Sequence, residues 1–426
     1  MKAKFSIKAC SKVKMKQLTI LLLLFGPFLY SCQTKNPDVG ISMKEDVTFL
    51  ASDDLEGRET GTIGEKKAAA YIIDRFKKIG LKPAGTNGYY QEFKVTPAMN
   101  PHEMPKVGEG NDTLAIVGNN VIGMIDNPGN SSVIIGAHYD HLGYGGVSSL
   151  YRSDSLQVHN GADDNASGVA TMIQLAERLS RGNLPIDIIF IAFTGEEKGL
   201  WGSNYFAKNA TINLANVSAM INMDMVGRLD EEKALAIHGT GTSPIWEEII
   251  NKANKDSLKL VFRASGVGPS DHTSFYLQDI PVLHFFTGQH GDYHKPGDDA
   301  DKINYAGMVK IVSMIDRIVN EIASTDKLAF TKTKDESSDT PRFTVSLGVV
   351  PDYLFGGQGM RIDGISEGKP AQAAGLLKGD VVVKLGNNEV TDMMSYMKAL
   401  STFEKGNETV VTVKREDKEI TVPIKF

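Results

Sequence analysis

Cysteine is nearly absent from this sequence: its 426 residues include only Cys10 and Cys32. Beyond residue 32 the chain therefore has no cysteine with which to form a disulfide or a thiolate metal site. Positive charge is also in deficit, since 52 acidic residues outnumber 46 basic ones. An acidic chain is a poor match for the phosphates of nucleic acid, so we expect no nucleic-acid partner. The length is nevertheless ample for a buried core and two or three domains.

The N-terminus has the pattern of a bacterial export signal. The first 18 residues carry six lysines and no acid, and the apolar run 18–30 ends at Ser31 and Cys32. A basic region, a short apolar segment and a small residue before the cleavage point are typical of a secretory signal. A transmembrane anchor is the alternative, but the apolar run is short for crossing a bilayer. We therefore predict that residues 1–31 are a signal peptide.

The end of this signal, Leu29-Tyr30-Ser31-Cys32, resembles a bacterial lipobox, although tyrosine at the second place is less usual. The resemblance implies lipidation of Cys32 and a position on the periplasmic or cell-surface face of a bacterial membrane, as in an outer-membrane lipoprotein. Met15 begins a more ordinary signal and is an alternative start. Without the six signal lysines the chain has 40 basic and 52 acidic residues, a net charge near −12. Attachment through anionic headgroups is therefore disfavoured, and the lipid is the expected anchor.

Composition divides the rest of the chain into four parts. Residues 32–42 are polar with Pro and Gly, and we predict a tether there. Residues 43–325 contain the long series of apolar runs and helical patterns that predicts the main domain. Residues 326–342 are polar and poor in large apolar side chains, which is typical of a linker. Residues 343–426 form a second unit of short strands around one or two helices.

Apolar runs alternate with helical patterns in the main domain. Runs such as SVIIGAHYD, IDIIFIAFTGEE and PVLHFFTG indicate buried strands, and apolar periodicity predicts helices at 65–79, 167–181, 243–255 and 305–323. Gly80 is expected to cap the first of these helices. The alternation predicts the α/β class, with a mixed, mostly parallel sheet and helices on both faces. Ligands of such sheets bind at the carboxyl ends of the strands.

Five segments place metal-ligand side chains directly after predicted strands. They are GAHYDHLG, GADDNASG, FTGEEKGLWGS, INMDMVG and GDYHKPGDDAD, and they contribute His138, Asp140, Asp163, Asp164, Glu196, Glu197, Asp224, Asp292 and His294. Adjacent carboxylates such as Asp163 and Asp164 are costly to bury without cations. Imidazole and carboxylate donors without thiolate suit Zn²⁺ or a similar transition metal. The sequence therefore predicts one site that holds two divalent metals.

Spacing within two of these segments suggests a division of roles. In His138-X-Asp140 the acid can hold the imidazole by its other nitrogen. Of the adjacent Glu196 and Glu197, one can bind metal while the other takes a proton from metal-bound water. A carboxylate also has two oxygens with which to bridge two metals. The residues alone leave open which acid takes which role.

In this order, the five segments resemble metallopeptidase family twenty-eight, the co-catalytic zinc aminopeptidases that include bacterial leucyl aminopeptidases. The resemblance covers roughly residues 43–325. It implies a zinc-exopeptidase-like fold and hydrolysis of N-terminal residues from peptides through a hydroxide bridging two metals. The implied cofactors are two Zn²⁺ ions, with Mn²⁺ or Co²⁺ as alternatives.

The same resemblance assigns individual roles. The implied metal ligands are the bridging Asp164, then His138 and Asp224 on one metal, and Glu197 and His294 on the other. Glu196 would be the general base, and Asp140 would orient His138. A cis peptide bond is implied between Asp164 and Asn165.

Other polar residues receive weaker expectations. SDHTSF resembles a segment that lines the site in this family, so Asp271 and His272 are candidates for supporting the site or contacting substrate. Tyr293 is expected to border the site. The remaining histidines are predicted to be structural or at the surface: His102, His141, His159, His238, His284 and His290.

The C-terminal unit, residues 343–426, resembles a PDZ domain of the bacterial protease-associated type. The segment PAQAAGL, followed by Gly379-Asp380, carries the most specific part of the resemblance. A PDZ groove binds an extended peptide as an added strand, and backbone N–H groups meet its terminal carboxylate. The resemblance implies a carboxylate-binding loop at Leu347, Gly348 and Val349. A packing module that shields or positions the peptidase is the alternative.

Two other functions fit parts of the same sequence. A glutaminyl cyclase or another amidohydrolase would keep the fold and change the reaction, but relatives of that kind tend to use one metal. A PDZ-based peptide-binding protein beside an inactive peptidase is the other alternative. An intact Glu196 and a full set of metal ligands argue against it.

Overall fold

The computed structural model describes residues 39–96, 106–107, 115–334 and 345–426, apart from positions 147, 154, 230–233, 353, 354, 356, 367 and 417. The predicted signal peptide, Cys32 and His102 lie outside the described residues. The first helix, α1 Val39–Leu50, begins inside the predicted tether 32–42. Ser42 is buried there, and its hydroxyl accepts hydrogen bonds from Arg75 and Gln174. The end of the predicted tether is therefore part of the folded domain.

The helices of the larger domain coincide with most of the predicted helical segments. They are α1, α2 Ile63–Ile79, α3 Gly168–Leu179, α4 Trp201–Lys208, α5 Trp246–Ala253, α6 His272–Tyr276 and α7 Tyr305–Ala323. Gly80 ends α2 with a left-handed backbone (φ 92°), which confirms its capping role. Helix α7 has the predicted bounds. Helices α4 and α6 were not predicted, and α6, with five residues, is too short to show helical periodicity.

Ten of the described strands form the main sheet. In chain order they are β1 Lys82–Pro83, β2 Tyr90–Thr96, β3 Lys106–Val107, β4 Ile116–Ile125, β5 Ser132–His138, β6 Asp187–Phe193, β7 Val217–Met223, β8 Ala234–His238, β9 Lys259–Arg263 and β10 Val282–Phe286. Across the sheet the order is β3-β2-β4-β6-β5-β7-β10-β8-β9, with β1 paired to β4.

Strand direction divides this sheet into a parallel centre and mixed flanks. The neighbours β6, β5, β7 and β10 are mutually parallel. The pairs β2–β4, β4–β6 and β10–β8 are antiparallel, and β8–β9 is parallel again. The predicted α/β class with a mixed, mostly parallel sheet is confirmed, and the parallel pairs lie mainly at its centre.

Helices cover both faces of this sheet. Along β5, Val133 and Ile135 lie in a core cluster shared with residues of α1, α2, α3, α5 and α7. The intervening Ile134 lies in a second cluster with Phe206 of α4 and Phe275 of α6. Because successive strand residues point to opposite faces, one strand contributes to both cores. The near-continuous apolar runs of the central strands are thereby explained.

The carboxyl ends of the four parallel strands meet at one edge of the sheet. β5 ends at His138 and β7 ends directly before Asp224, while β6 leads to Glu196 and β10 leads to the loop of His294. Helix α3 begins shortly after Asp164 and packs on β5. All the predicted metal ligands are thus carried to the same edge, as expected for a doubly covered parallel sheet.

Residues 326–334 continue from α7 along the surface of the larger domain. The N–H of Leu328 donates to Ser218 Oγ at 3.0 Å, and the N–H of Thr331 donates to the Thr242 carbonyl at 2.8 Å. The N–H of Thr333 donates to the Tyr276 hydroxyl at 3.0 Å. The first half of the predicted linker 326–342 is therefore packed against the sheet domain.

In its described residues, the C-terminal unit is a small antiparallel sheet with two helices. Its strands are β11 Val349–Pro351, β12 Met360–Ile365, β13 Val381–Leu385, β14 Asn388–Glu389, β15 Glu408–Arg415 and β16 Lys418–Lys425, and its helices are α8 Pro370–Ala373 and α9 Met393–Leu400. The strand order is β11-β12-β13-β15-β16, with β14 paired to β13. Leu347, Ile362, Val382 and Val411 lie in a core cluster of their own. The predicted β-rich unit is confirmed.

None of the helices in the described part of the chain combines the length and the apolar character needed to cross a membrane.

Candidate metal centre

The structure brings the five predicted metal ligands and Glu196 together. Asp164 lies in their middle: its Oδ1 is 3.4 Å from His138 Nε2, and its Oδ2 is 3.3 Å from His294 Nε2. His138 Nε2 is also 3.4 Å from Asp224 Oδ1, and His294 Nε2 is 3.3 Å from Glu197 Oε2. The donors therefore form two sets that share one carboxylate. Metal binding by these side chains stays a prediction.

The charges at this centre favour a bound cation. Burial alone would lower the pKa of His138, yet Glu196 and Asp224 raise it well above its ordinary value. Burial also opposes the charge on His294, but hydrogen bonds with Asp164 and Glu197 raise the pKa of His294 to about 11. The carboxylates thus stabilise positive charge where the two imidazoles meet them. Divalent metals provide such charge, and imidazole with carboxylate is a donor set that zinc accepts.

Glu196 and Glu197 are adjacent, yet their surroundings differ. Burial, with Asp224 and Glu197 nearby, raises the pKa of Glu196 well above its ordinary value although His138 opposes this. For Glu197 burial acts in the same direction, but hydrogen bonds from His141 and His294 hold its pKa well below its ordinary value. Two acids whose pKa values are separated in this way are suited to different roles. Glu196 suits proton transfer, and Glu197 suits metal binding.

Asp140 contacts the centre mainly through Glu196. Its carboxylate accepts hydrogen bonds from the N–H of Glu196 at 3.2 Å and from Thr60 Oγ1 at 3.1 Å. His138 Nδ1 is 3.2 Å from the backbone carbonyl of Asp140 and 3.8 Å from its carboxylate. Asp140 therefore borders His138, with its carbonyl closer than its carboxylate. Its carboxylate also fixes the backbone of the predicted base.

Asp163 and Asp164 face opposite directions. Asp163 Oδ1 accepts a hydrogen bond from the N–H of Gly227 at 2.7 Å, away from the predicted ligands. The N–H groups of both residues donate to Asp298 Oδ2 at 2.9 and 3.0 Å. The peptide bond between Asp164 and Asn165 is cis, as the resemblance implied. Asp298 therefore anchors the turn that presents Asp164 to the centre.

The loop that carries His294 is held by residues on the other side of the centre. His294 Nδ1–H donates to the carbonyl of Ser148 at 2.8 Å, which leaves Nε2 for Asp164 and Glu197. The N–H of Leu150 donates to the His294 carbonyl at 2.9 Å. Asp292, from the same segment, forms ion pairs with Arg228 and Lys302 outside the cluster of donors.

Arg58 is a buried residue that sequence reasoning missed. It is 1% exposed, and its guanidinium donates to the carbonyls of Tyr139 at 2.8 Å, Asn160 at 2.6 Å and Gly161 at 3.0 Å, as well as to Leu50. Burial lowers the pKa of Arg58 to about 10, although nearby acids such as Asp140 oppose this. The guanidinium of Arg58 therefore joins the loop that follows His138 to the loop that precedes Asp164. The only sequence signal was the break in helical pattern at residues 51–62.

His141, predicted to be structural or at the surface, is buried beside the predicted ligands. Its Nδ1 is 2.7 Å from Glu197 Oε1 and 3.9 Å from Asp164 Oδ2. His141, Asp164 and Glu197 each offer an atom within 4.8 Å of the others, as do His138, Glu196 and Asp224. His141 lies in the turn after β5, and its backbone N–H donates a hydrogen bond to the carbonyl of Arg58 at 3.4 Å. Its place three residues after His138 was the available signal.

A cavity of about 230 Å³ opens beside the predicted ligands. It is lined by Asp164, Glu196, Glu197, Asp224, Met225, His238, Pro269, His284, Phe286, Gln289, Tyr293 and His294. Tyr293 therefore borders the site, as expected. His238 and His284, predicted to be structural or at the surface, also line this cavity from the adjacent strands β8 and β10. Burial lowers the pKa of His238 to about 4 and that of His284 well below its ordinary value.

The SDH segment lies behind this wall. Asp271 is fully buried, and burial raises its pKa to about 7 against the influence of His138. His272 stacks on His284 with ring centroids 4.6 Å apart. Both residues therefore support the cavity wall without lining it.

Two other histidines fit their predicted structural role. His159 contacts Ser149 Oγ at 2.7 Å, and His290 contacts Asp163 Oδ2 at 3.2 Å.

The predicted carboxylate loop of the C-terminal unit has its carbonyls turned into the domain. The carbonyl of Leu347 accepts from the N–H of Ala371, and that of Gly348 accepts from the N–H of Ser366, both at 2.8 Å. Gly348 has φ 79°, and a Cβ there would lie 2.0 Å from Lys369 Cβ. Only glycine therefore fits this turn.

Comparison with known protein families finds a match for each unit. A family model described as peptidase family M28 matches residues 120–319, and a PDZ domain model matches residues 330–426. Among curated proteins, aminopeptidase YwaD of Bacillus subtilis is 28% identical over 184 residues. The alignment covers 41% of this chain and 40% of YwaD, so the chain spans about two fifths of that relative's length.

Solved structures share the fold of the larger domain. A zinc-dependent exopeptidase from Parabacteroides distasonis has a TM-score of 0.53 at 19% identity, covering 68% of this chain and 99% of that chain. A glutaminyl cyclase from Porphyromonas gingivalis has a TM-score of 0.52 at 15% identity, covering 66% and 98%. At these identities the likeness concerns the fold alone. The predicted zinc-exopeptidase-like fold is confirmed.

Proposed function

Because the chain carries a peptidase family M28 domain followed by a PDZ domain, we propose that it is a zinc-dependent aminopeptidase that removes N-terminal residues from peptides. The observation that carries the proposal is the position of Asp164 between two sets of donors. One oxygen of this carboxylate faces His138, and the other faces His294. A single metal would need only one of these sets of donors, whereas two metals account for the presence of both sets.

The proposed ligands are those that the sequence predicted. His138, Asp164 and Asp224 would hold one metal, and Asp164, Glu197 and His294 would hold the other. Two zinc ions bound there would supply the Lewis acidity that activates water and polarises a peptide carbonyl. Mn²⁺ and Co²⁺ accept the same donors and are alternatives.

Glu196 is the proposed general base. Its carboxylate lines the cavity, and its Oε2 is 4.0 Å from His138 Nε2. From this position it can take a proton from water at the centre and later give that proton to the leaving amine. The hydrogen bond from its N–H to the Asp140 carboxylate keeps the side chain close to the site.

The cavity favours a free N-terminus. Glu196 and three proposed metal ligands, Asp164, Glu197 and Asp224, line one side of it, so an unblocked α-amine would lie within reach of the metals and the base. Met225 and Phe286 line another part and offer an apolar wall to the first side chain. A volume of about 230 Å³ suits one side chain rather than a longer segment. Cleavage would therefore be confined to the first peptide bond.

Hydrolysis of short peptides with a free N-terminus, measured beside the same peptides with an N-acetyl group, tests this proposal. We expect amino acid to be released from the free peptides only. Cleavage of the acetylated peptides would contradict it and indicate an endopeptidase or a deacylase. Conversion of N-terminal glutamine to a cyclic product, without release of amino acid, would favour the glutaminyl cyclase alternative.

We also propose that the PDZ domain binds peptide C-termini and so brings substrates to the peptidase. Among the described residues β11 pairs with β12 only, so its other edge is available to an added strand. Leu347, Gly348 and Val349 precede or begin this strand and are the proposed carboxylate loop. Titration of the protein with a labelled peptide tests this proposal, and an equal affinity for the amidated peptide would contradict it.

A lipid anchor at Cys32 is a further part of the proposal. Its support is the pattern of the first 32 residues, in which a basic region and an apolar run precede the lipobox-like LYSC. The protein would then face the periplasm or the cell exterior. Mass spectrometry of the expressed protein tests this, because acylation at Cys32 predicts loss of residues 1–31. An unprocessed N-terminus would contradict it.

A further inference from the structure

His141 contacts the proposed metal centre without belonging to the predicted ligand set. It is 1% exposed, and its Nδ1 lies 2.7 Å from Glu197 Oε1. The other oxygen of Glu197, Oε2, is 3.3 Å from His294 Nε2. The two oxygens of this carboxylate therefore have different partners. One faces the metal-binding side, and the other faces the ring of His141.

The surroundings of the ring determine which nitrogen carries the proton. A carboxylate oxygen only accepts hydrogen bonds, so a contact of 2.7 Å requires the proton on Nδ1. Within the described part of the chain, Nε2 is buried and has no hydrogen-bond partner. With the proton on Nδ1, Nε2 is a buried acceptor without a partner. In the other tautomer Nε2 would be a buried N–H without a partner, and the lone pair of Nδ1 would face a lone pair of Glu197 Oε1. His141 is thus a hydrogen-bond donor to Glu197.

The ring of His141 packs against two neighbours. A Cβ on Gly161 would lie 2.5 Å from Cδ2 of His141, so the ring lies directly against the backbone of the loop that leads to Asp164. On its other side the ring meets that of His294 edge to face, with centroids 5.9 Å apart. His141 is therefore fixed between the loop of Asp164 and one proposed ligand.

We propose that His141 is a positioning residue for the metal held by Asp164, Glu197 and His294. Its Nδ1–H donates a hydrogen bond to Oε1 of Glu197 and so fixes the orientation of the carboxylate. Oε2 is then left to bind that metal. This inference rests on the proposed two-metal function and adds a role to a residue outside the ligand set. Partners of this kind commonly alter metal affinity by about 10- to 100-fold.

Zinc titration of three variants tests this proposal, with the metal-free protein and a chromophoric chelator as competitor. His141→Ala removes the donor, and His141→Asn places an amide N–H near the position of Nδ1. His138→Ala removes a ligand of the other metal. We expect His141→Ala to weaken one of two zinc-binding steps by about 10- to 100-fold and His141→Asn to restore most of that loss. His138→Ala should affect the other step.

The outcomes separate this role from simple packing. If His141→Asn lost affinity as fully as His141→Ala, the side chain would not act as a donor, and the proposal would be wrong. Equal weakening of both zinc-binding steps, with a lower melting temperature of the metal-free protein, would also overturn it in favour of a structural role. A wild-type protein that binds a single zinc ion would contradict the proposed function itself, before any variant is compared.

Discussion

Glu196 and Glu197 show how neighbouring residues of one type acquire different chemistry. Both follow β6 in the same buried turn, but hydrogen bonds from two imidazoles reach Glu197, while Glu196 faces other acids and the cavity. One carboxylate is thereby kept ionised, and the other keeps a strong affinity for a proton. The separation depends on His141 and His294, which come from loops distant in sequence.

Replacement of Glu196 by glutamine tests its role as the base. We expect Glu196→Gln to lower kcat for a free dipeptide by about 10²- to 10⁴-fold, because the amide cannot accept the proton from water. Zinc content should stay unchanged, since Glu196 is not a proposed ligand. Glu197→Gln is the matched control, and it should lose zinc from one site. Unchanged hydrolysis by Glu196→Gln would contradict the assignment.

At the scale of single residues, the sequence predicted most of the centre. The strand-end pattern made His138, Asp163, Asp164, Asp224 and His294 candidates, and the family resemblance implied which of them are ligands. His141 could not be named, because its contact with Glu197 depends on how the turn after β5 folds back. The cavity positions of His238 and His284 depend on the pairing of β8 with β10, which an apolar pattern does not reveal.

The segment between α1 and α2 is the element that ties the centre together. Its short helical turn Asp53–Arg58 has left-handed backbone at Glu56 and Gly57, with φ 50° and 69°. A Cβ on Gly57 would lie 2.5 Å from the carbonyl oxygen of Gly143, so this approach requires glycine. The turn directs Arg58 into the interior, where it joins the loops that follow His138 and precede Asp164.

Replacement of Arg58 by methionine tests this element. Arg58→Met leaves four buried carbonyls without their donor, so we expect the unfolding free energy to fall by about 3 kcal/mol or more. Tryptophan fluorescence during urea unfolding measures this in the larger domain, because both tryptophans, Trp201 and Trp246, lie there. Arg58→Lys should restore only part of the loss, since an ammonium cannot reach all four carbonyls. An unchanged unfolding free energy for Arg58→Met would refute the role.

The packing of α1 on α2 predicts a dependence of stability on pH. Asp46 of α1 is 1% exposed, accepts a hydrogen bond from Tyr71 at 2.7 Å and pairs with Arg75 at 2.9 Å. Burial raises the pKa of Asp46 from 3.8 to about 6, although Arg75 opposes the rise. The folded state therefore binds this proton more tightly than the unfolded state. The resulting stabilisation is complete below pH 3.8 and is lost as the pH rises through about 6.

Comparison of wild type with Asp46→Asn measures this contribution. A pKa rise from 3.8 to about 6 corresponds to about 3 kcal/mol. We expect the unfolding free energy of wild type to fall by about that amount relative to Asp46→Asn between pH 4 and pH 7. Urea unfolding at several pH values provides the data. Parallel pH profiles for the two proteins would show that Asp46 does not titrate in this way.

The whole molecule combines two units with separate cores. The larger domain has core clusters on both faces of its sheet, and the PDZ domain has a small cluster around Leu347 and Val382. Alternation of apolar runs with helices was sufficient to predict the α/β class and a mixed, mostly parallel sheet. The antiparallel pairs β4–β6 and β10–β8 were not predictable, because strand direction depends on pairing between segments that are distant in sequence.

At this scale the central claim is that one shared carboxylate organises two metals. The most direct measurement is the number of zinc ions bound per molecule, determined by equilibrium dialysis and elemental analysis of wild type and Asp164→Ala. We predict two zinc ions for wild type and marked loss of both from Asp164→Ala, since Asp164 contacts both sets of donors. One zinc ion in a wild-type protein that is fully active on free dipeptides would contradict the account.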